Sequence, residues 1–151
     1  DAAMVRLLLH RMARVDVWAL NEAAARGHWE CLLLLLRAAT PDVVAQSLVL
    51  YHACLKADVA TIRQVLDSGC NADTKRPAAD RTPLHIACHR EPEEALEIAR
   101  LLLDAGAPVD AGYRTAWTDG LTQHAGNCTP LFHACQAGHK GLVELFLSRG
   151  A

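Results

Sequence analysis

The chain has 151 residues, 52% of them hydrophobic and 21% charged, which is long and apolar enough for one folded domain and unlike a disordered segment. Aromatic residues are only 5%, so the core must be built from Leu, Ala, Val and Cys, which favours closely packed helices over a β-sandwich. Fifteen basic against seventeen acidic residues give a net charge of −2, without the global positive field of a nonspecific nucleic-acid binder, and the longest leucine run, Leu32 to Leu36, falls far short of the roughly 20 apolar residues that span a bilayer.

In chain order, Met4 to Asp16 reads as the tail of a helical unit, closing on Val15-Asp16 as a later unit closes on Val109-Asp110. The chain opens at Asp1 with no basic-then-apolar leader, and it is expected to be an excised piece of a longer protein. Trp18-Ala19-Leu20 then opens a helix through Ala23-Ala24-Ala25-Arg26, Gly27-His28 turns the chain, and Leu32 to Leu36 forms a second helix. The next unit has Ala53-Cys54, then Ile62, Val65-Leu66 and Gly69-Cys70 at matching offsets. The third opens on Thr82-Pro83-Leu84-His85-Ile86-Ala87-Cys88 and restarts at Pro92-Glu93-Glu94, a helix start with acids at its positive end, before stopping at Gly106. After a long segment over 111–127, Thr129-Pro130-Leu131-Phe132-His133-Ala134-Cys135 opens the fourth, which runs through Gly138-His139 to Gly150-Ala151.

The local chemistry explains the pattern. Pro83 and Pro130 fall in a first helical turn, where a missing N–H costs nothing, and Thr82 and Thr129 stand where a cap is needed. Ala87 and Ala134 are small where two helices approach, and a single helix pair cannot bury its apolar face without a stacked neighbour. The expected core includes Leu84, Ala87, Leu101, Leu102, Leu131, Ala134, Leu145 and Phe146, with open apolar flanks at Leu7 to Leu9 and at Leu142, Leu145 and Phe146.

With its Thr-Pro-Leu-His-x-Ala motif at 82–87 and a related motif at 129–134, the chain resembles the ankyrin repeat family, whose period is about 33 residues. The resemblance covers nearly the whole chain, although Ala23, Ala53, Ala87 and Ala134 are spaced by 30, 34 and 47 residues, a short first and a long last interval. It implies an all-α solenoid of stacked antiparallel helix pairs with hairpin-like finger loops. The expected units are the tail of a truncated repeat over 1–16, repeats over 17–42, 43–79 and 80–127, the last with a long finger loop, and a C-terminal repeat over 128–151.

No phosphate loop, dinucleotide fingerprint, nucleophile elbow or HExxH motif occurs. Cys54, Cys88 and Cys135 share one repeat position, but neighbouring helices lie roughly 8–10 Å apart, too far for sulfurs that must approach within about 4 Å around one zinc. They are expected to be small core residues. His85, Cys88 and His89 have ligand types at helical spacing, yet the resemblance gives His85 a hydrogen-bonding role and Cys88 a core role. Neither catalytic residue, metal nor cofactor is therefore expected. Six cysteines without a CxxC pair read as reduced thiols of a cytoplasmic or nuclear protein, where the sequon Asn127-Cys128-Thr129 would go unused.

The resemblance implies that the residues after the paired small residues of each first helix, and the finger tips, face a binding surface. Arg26, Lys56, His89-Arg90 and Gln136 occupy those positions, Arg76 lies in the finger before the third repeat, and Arg81 just precedes its Thr-Pro-Leu. They form either a basic line for an acidic or phosphorylated partner segment or a merely solvated face. In the long segment, Tyr113, Arg114, Trp117, Leu121 and His124 have the character of contact residues, unless they fold back over a neighbour or the segment is disordered. The expected function is a noncatalytic module that recruits another protein, with flanking ankyrin repeats in the full-length chain, as part of an adaptor such as a ubiquitin-ligase substrate receptor. The alternative is an ankyrin spacer or regulatory domain of an enzyme or channel.

Overall fold

A computed structural model describes residue 3 and residues 14–75, 80–118 and 123–151, with the backbone alone at 114–118 and 123–125. The expected repeat tail over 4–13, with Leu7 to Leu9, and also Arg76 and Leu121, lie outside the described residues. The chain divides into two compact units, Asp1–Thr74 and Lys75–Ala151.

In the first unit, α1 (Val17–Ala25) and α2 (Trp29–Ala38) form one helix pair, and α4 (Val49–Lys56) and α5 (Val59–Asp67) form the next. The short α3 (Pro41–Ala45) connects them. α1 packs on α4 and α2 on α5, so the pairs stack in two layers and enclose Leu20, Ala24, Leu32, Leu50, Ala53, Cys54, Ile62 and Val65. Local chemistry starts one helix of each pair. The Asp16 side chain accepts from Ala19 N–H at 2.7 Å and that of Asp58 from Thr61 N–H at 2.8 Å, each satisfying an orphan donor of a first turn.

The second unit repeats the arrangement. α6 (Pro83–Ala87) pairs with α7 (Pro92–Asp104), and α8 (Pro130–Gln136) with α9 (Lys140–Ser148). α6 packs on α8, and α7 packs on α9. Both Thr-Pro-Leu segments open helices, with the prolines in the first turn. On α7 the buried residues are Ala95, Ile98, Ala99 and Leu102, one stripe at helical spacing. Gly106 ends the pair at φ +87°, a left-handed conformation that a side chain rarely adopts.

Three expectations need correcting. Leu84, Ala87, Leu102, Ala134 and Phe146 are buried, but Leu101, Leu131 and Leu145 are only half-buried because they sit beside the inward stripes. At the C-terminal flank, Leu142 and Phe146 are interior, one helical turn apart on the inner face of α9, and the open apolar side chains are Phe132 and Leu147 instead. Cys135 is likewise exposed rather than core. Cys88 Sγ lies 3.6 Å from the Pro130 carbonyl of the following helix, whereas no described element lies over Cys135.

The long segment before the last repeat contains a two-stranded antiparallel ribbon of β1 (Tyr113–Thr118) and β2 (Gln123–Cys128). Tyr113 faces Cys128, Thr115 faces Gly126 and Trp117 faces His124 across the ladder. Strand alternation therefore places these six residues on one face of the ribbon.

Because Phe146 is fully buried and Leu147 is largely exposed, the two neighbours should respond oppositely to truncation. Phe146→Ala should cost about 3–5 kcal/mol and Leu147→Ala less than about 0.5 kcal/mol, as read from urea midpoints at constant m-value.

Candidate functional site

The ribbon is rooted in the second unit by two histidines. The Thr82 N–H donates to His85 Nδ1 at 3.1 Å, and the Thr82 hydroxyl lies 2.8 Å from the same nitrogen. Nδ1 is therefore an acceptor, which leaves the proton on Nε2, and Nε2–H donates to the Cys128 carbonyl at 3.1 Å. One buried imidazole thus completes the cap of α6 and holds the end of β2. Burial first, then the Cys128 hydrogen bond acting the other way and the charges of Arg81 and Lys75, leave its pKa below the usual histidine value.

The start of β1 is held by the second histidine. Tyr113 Oη lies 2.9 Å from His133 Nε2 of α8, and the two rings are nearly parallel at 13° with centroids 5.8 Å apart. His133 stands where Ile86 stands in the preceding repeat, so an imidazole fills an apolar position. Its Nδ1 is buried and has no hydrogen-bond partner among the described residues. Burial, with His89, His85 and Arg81 nearby, pushes its pKa down to about 4. The Arg81 guanidinium carbon lies 4.9 Å from the Tyr113 ring centroid, within cation–π range, and the His89 ring centroid lies 4.9 Å from that of His133.

The residues expected to form the basic line have partners of their own. In the first unit, Arg26 pairs with Glu22, and Lys56 Nζ donates to the Ala25 carbonyl at 2.8 Å, tying the end of α4 to that of α1. In the second, Arg90 pairs with Glu94 at 2.7 Å, Arg81 lies over Tyr113, and His89 and Gln136 are exposed. Tyr113 is buried at the root of the ribbon, and the side chains of Arg114, Trp117 and His124 lie outside the described ones. His133 escaped the sequence reading. Its only signal was a polar residue at the position of Ile86. Among the described residues, no three His, Cys, Asp or Glu side chains are grouped as metal ligands, and no helix is long and apolar enough to cross a membrane.

Comparison with known families finds a model described as ankyrin repeats (3 copies) matching residues 20–112 and 50–151. The chain belongs to the ankyrin repeat family. Ankyrin repeats are protein-interaction modules, and the curated relatives carry ankyrin repeats in their names. Human ankyrin repeat and SOCS box protein 16 is 32% identical, over 88% of this chain and 36% of its own length. Mouse ankyrin repeat and SOCS box protein 5 is 34% identical over 60% of this chain and 27% of its own. Human ankyrin repeat and MYND domain-containing protein 1 is 37% identical over 62% of this chain and 10% of its own. The ankyrin repeats in hand thus span between a tenth and just over a third of these relatives.

The Tyr113–His133 pair in this last ankyrin repeat has a testable energetic signature. Tyr113→Phe leaves His133 with neither ring nitrogen served and should cost about 1–3 kcal/mol, whereas the Tyr113→Phe, His133→Ile double variant, which removes both polar groups, should recover most of that loss. A histidine whose folded pKa lies near 4 rather than 6.5 leaves the unfolded chain holding more protons in between. Its contribution to stability is whole above about pH 6.5 and is lost as pH falls toward 4. Urea unfolding across that window should therefore show a shallower slope for the double variant than for the wild type.

Proposed function

We propose that this chain is a noncatalytic recruitment module that binds a partner protein through the ends of its first helices and through the β-ribbon at 113–128. The observation that carries this reading is the rooted ribbon. An isolated two-stranded hairpin is marginal in water, yet here both strands are fastened at their base, β1 by Tyr113 on His133 and β2 by His85 on the Cys128 carbonyl. An arm already held at its base loses less entropy on binding than a loop that must be ordered at that moment. Trp117, opposite His124 and on the Tyr113 face of the ladder, is its aromatic contact residue, with Arg114 alongside.

Arg26, Lys56, Arg76, Arg81, His89, Arg90 and Gln136 supply the polar part of the surface, for a partner that presents an acidic or phosphorylated segment. The repeat boundaries that go with this reading are 17–42, 43–79, 80–127 and 128–151. The SOCS box in the names of two relatives supports a place in a larger adaptor such as a ubiquitin-ligase substrate receptor, and six free thiols support a cytoplasmic or nuclear setting.

The test begins with affinity capture by the full-length protein and then measures association and dissociation rates of this chain with the recovered partner at two ionic strengths. Trp117→Ala should speed dissociation tenfold or more, about 1.4 kcal/mol, while Lys56→Glu with Arg26→Glu should slow association and flatten its salt dependence. Wild-type kinetics in both variants would overturn the reading.

A further inference from the structure

The root of the ribbon carries chemistry that neither folding nor anchoring uses. Tyr113 and His133 form a two-ring platform, with the Arg81 guanidinium against the first ring and the exposed His89 imidazole against the second. Among the described residues, the charged and titratable groups that act on these rings are Arg81, Lys75, His85 and His139, none of them acidic. Neighbouring cations are already matched, Arg90 by Glu94 at 2.7 Å and Lys75 by Asp80 at 3.9 Å. Arg81 differs. Among the described residues its partner is an aromatic face, with no carboxylate set against it.

We propose that Arg81 and His89, on the floor made by Tyr113 and His133, form an anion seat that takes one carboxylate side chain of an acidic partner segment. This rests on the reading of the chain as a protein-binding module and names the chemistry of one of its contacts. The charge count selects a carboxylate over a phosphate. A guanidinium keeps its charge at any ordinary pH, while burial and the nearby Arg81 and His139 hold His89 below the usual histidine range, and His133 lower still. At neutral pH the seat thus offers one permanent charge, which matches a monoanion. A phosphate near neutral pH carries nearly two charges and would lack its second cation.

The same arrangement links binding to protons. A carboxylate beside His89 favours the imidazolium, so docking takes up a proton there, and affinity rises as the pH falls from 8 toward 6. His133 stays neutral over this range, with Nε2 committed to Tyr113 and its own titration near 4. His85 stays neutral as well, with Nδ1 accepting from Thr82 and Nε2–H given to Cys128.

The experiment uses the whole 151-residue chain and an end-capped hexaglutamate peptide, followed by calorimetry at pH 6 and pH 8 and by the ring resonances of the histidines. The peptide should raise the His89 midpoint by up to about one unit and bind up to about tenfold more tightly at pH 6 than at pH 8. Arg81→Gln should weaken binding at both values, and His89→Gln should weaken it more at pH 6 than at pH 8, removing the pH dependence. An unmoved His89 resonance, undiminished binding to Arg81→Gln, or tighter binding of a singly phosphorylated serine peptide would each overturn the seat. A chain that ignores hexaglutamate yet binds its captured partner through Trp117 defeats the seat and leaves the module reading standing.

Discussion

His85 is a polar side chain with no exposed surface, and both of its ring nitrogens are committed to backbone or cap groups. Burying an imidazole without those bonds would cost several kcal/mol, by the order of magnitude for unpaired polar groups. The partners therefore have to be in place: Thr82 at the start of its own helix and the Cys128 carbonyl ahead of the next. That requirement joins a helix cap to the register of a strand 43 residues away. The end of the ribbon is thereby held against the start of α6, just ahead of the Thr129 cap that opens α8.

His133 shows the complementary case. It occupies an apolar repeat position, finds one partner in Tyr113 and leaves its other nitrogen unserved. A buried orphan of this kind is destabilising on its own. The gain is geometric, since the hydroxyl bond and the stacked rings fix where β1 leaves the helical layer. A leucine at 133 would pack better and would release the ribbon.

The helices of the second unit were legible because several carry their own start: Thr82 and Thr129 stand at N-caps, and Pro83, Pro92 and Pro130 in first turns, whereas the first unit was read from Ala, Leu and Gly positions that match across repeats. A hairpin-like finger was expected here, but the two strands and their register were not read, because the repeat pattern labels everything between Gly106 and Thr129 as finger. Which leucines face inward also escaped. Leu101 and Leu102 are equivalent in composition and differ only in helical phase, which the structure resolves in favour of Leu102. The basic residues were found by position, but their partners, a carbonyl for Lys56 and a tyrosine face for Arg81, depend on side-chain geometry that spacing does not encode.

The cysteines turn this architecture into a clock for local opening. Burial pushes the thiol of Cys70 up to about 11 and that of Cys88 up to about 12, so neither supplies thiolate to an alkylating reagent while the fold is closed. Cys54 and Cys128 are buried too, whereas Cys135 lies exposed on α8. Cys135 therefore reacts at the rate of the reagent, and the buried thiols react only as fast as their own repeat opens. Cys128 times the root of the ribbon, Cys88 the end of α6, and Cys54 the first unit, so one time course of alkylation read by peptide mass ranks the opening free energies along the chain.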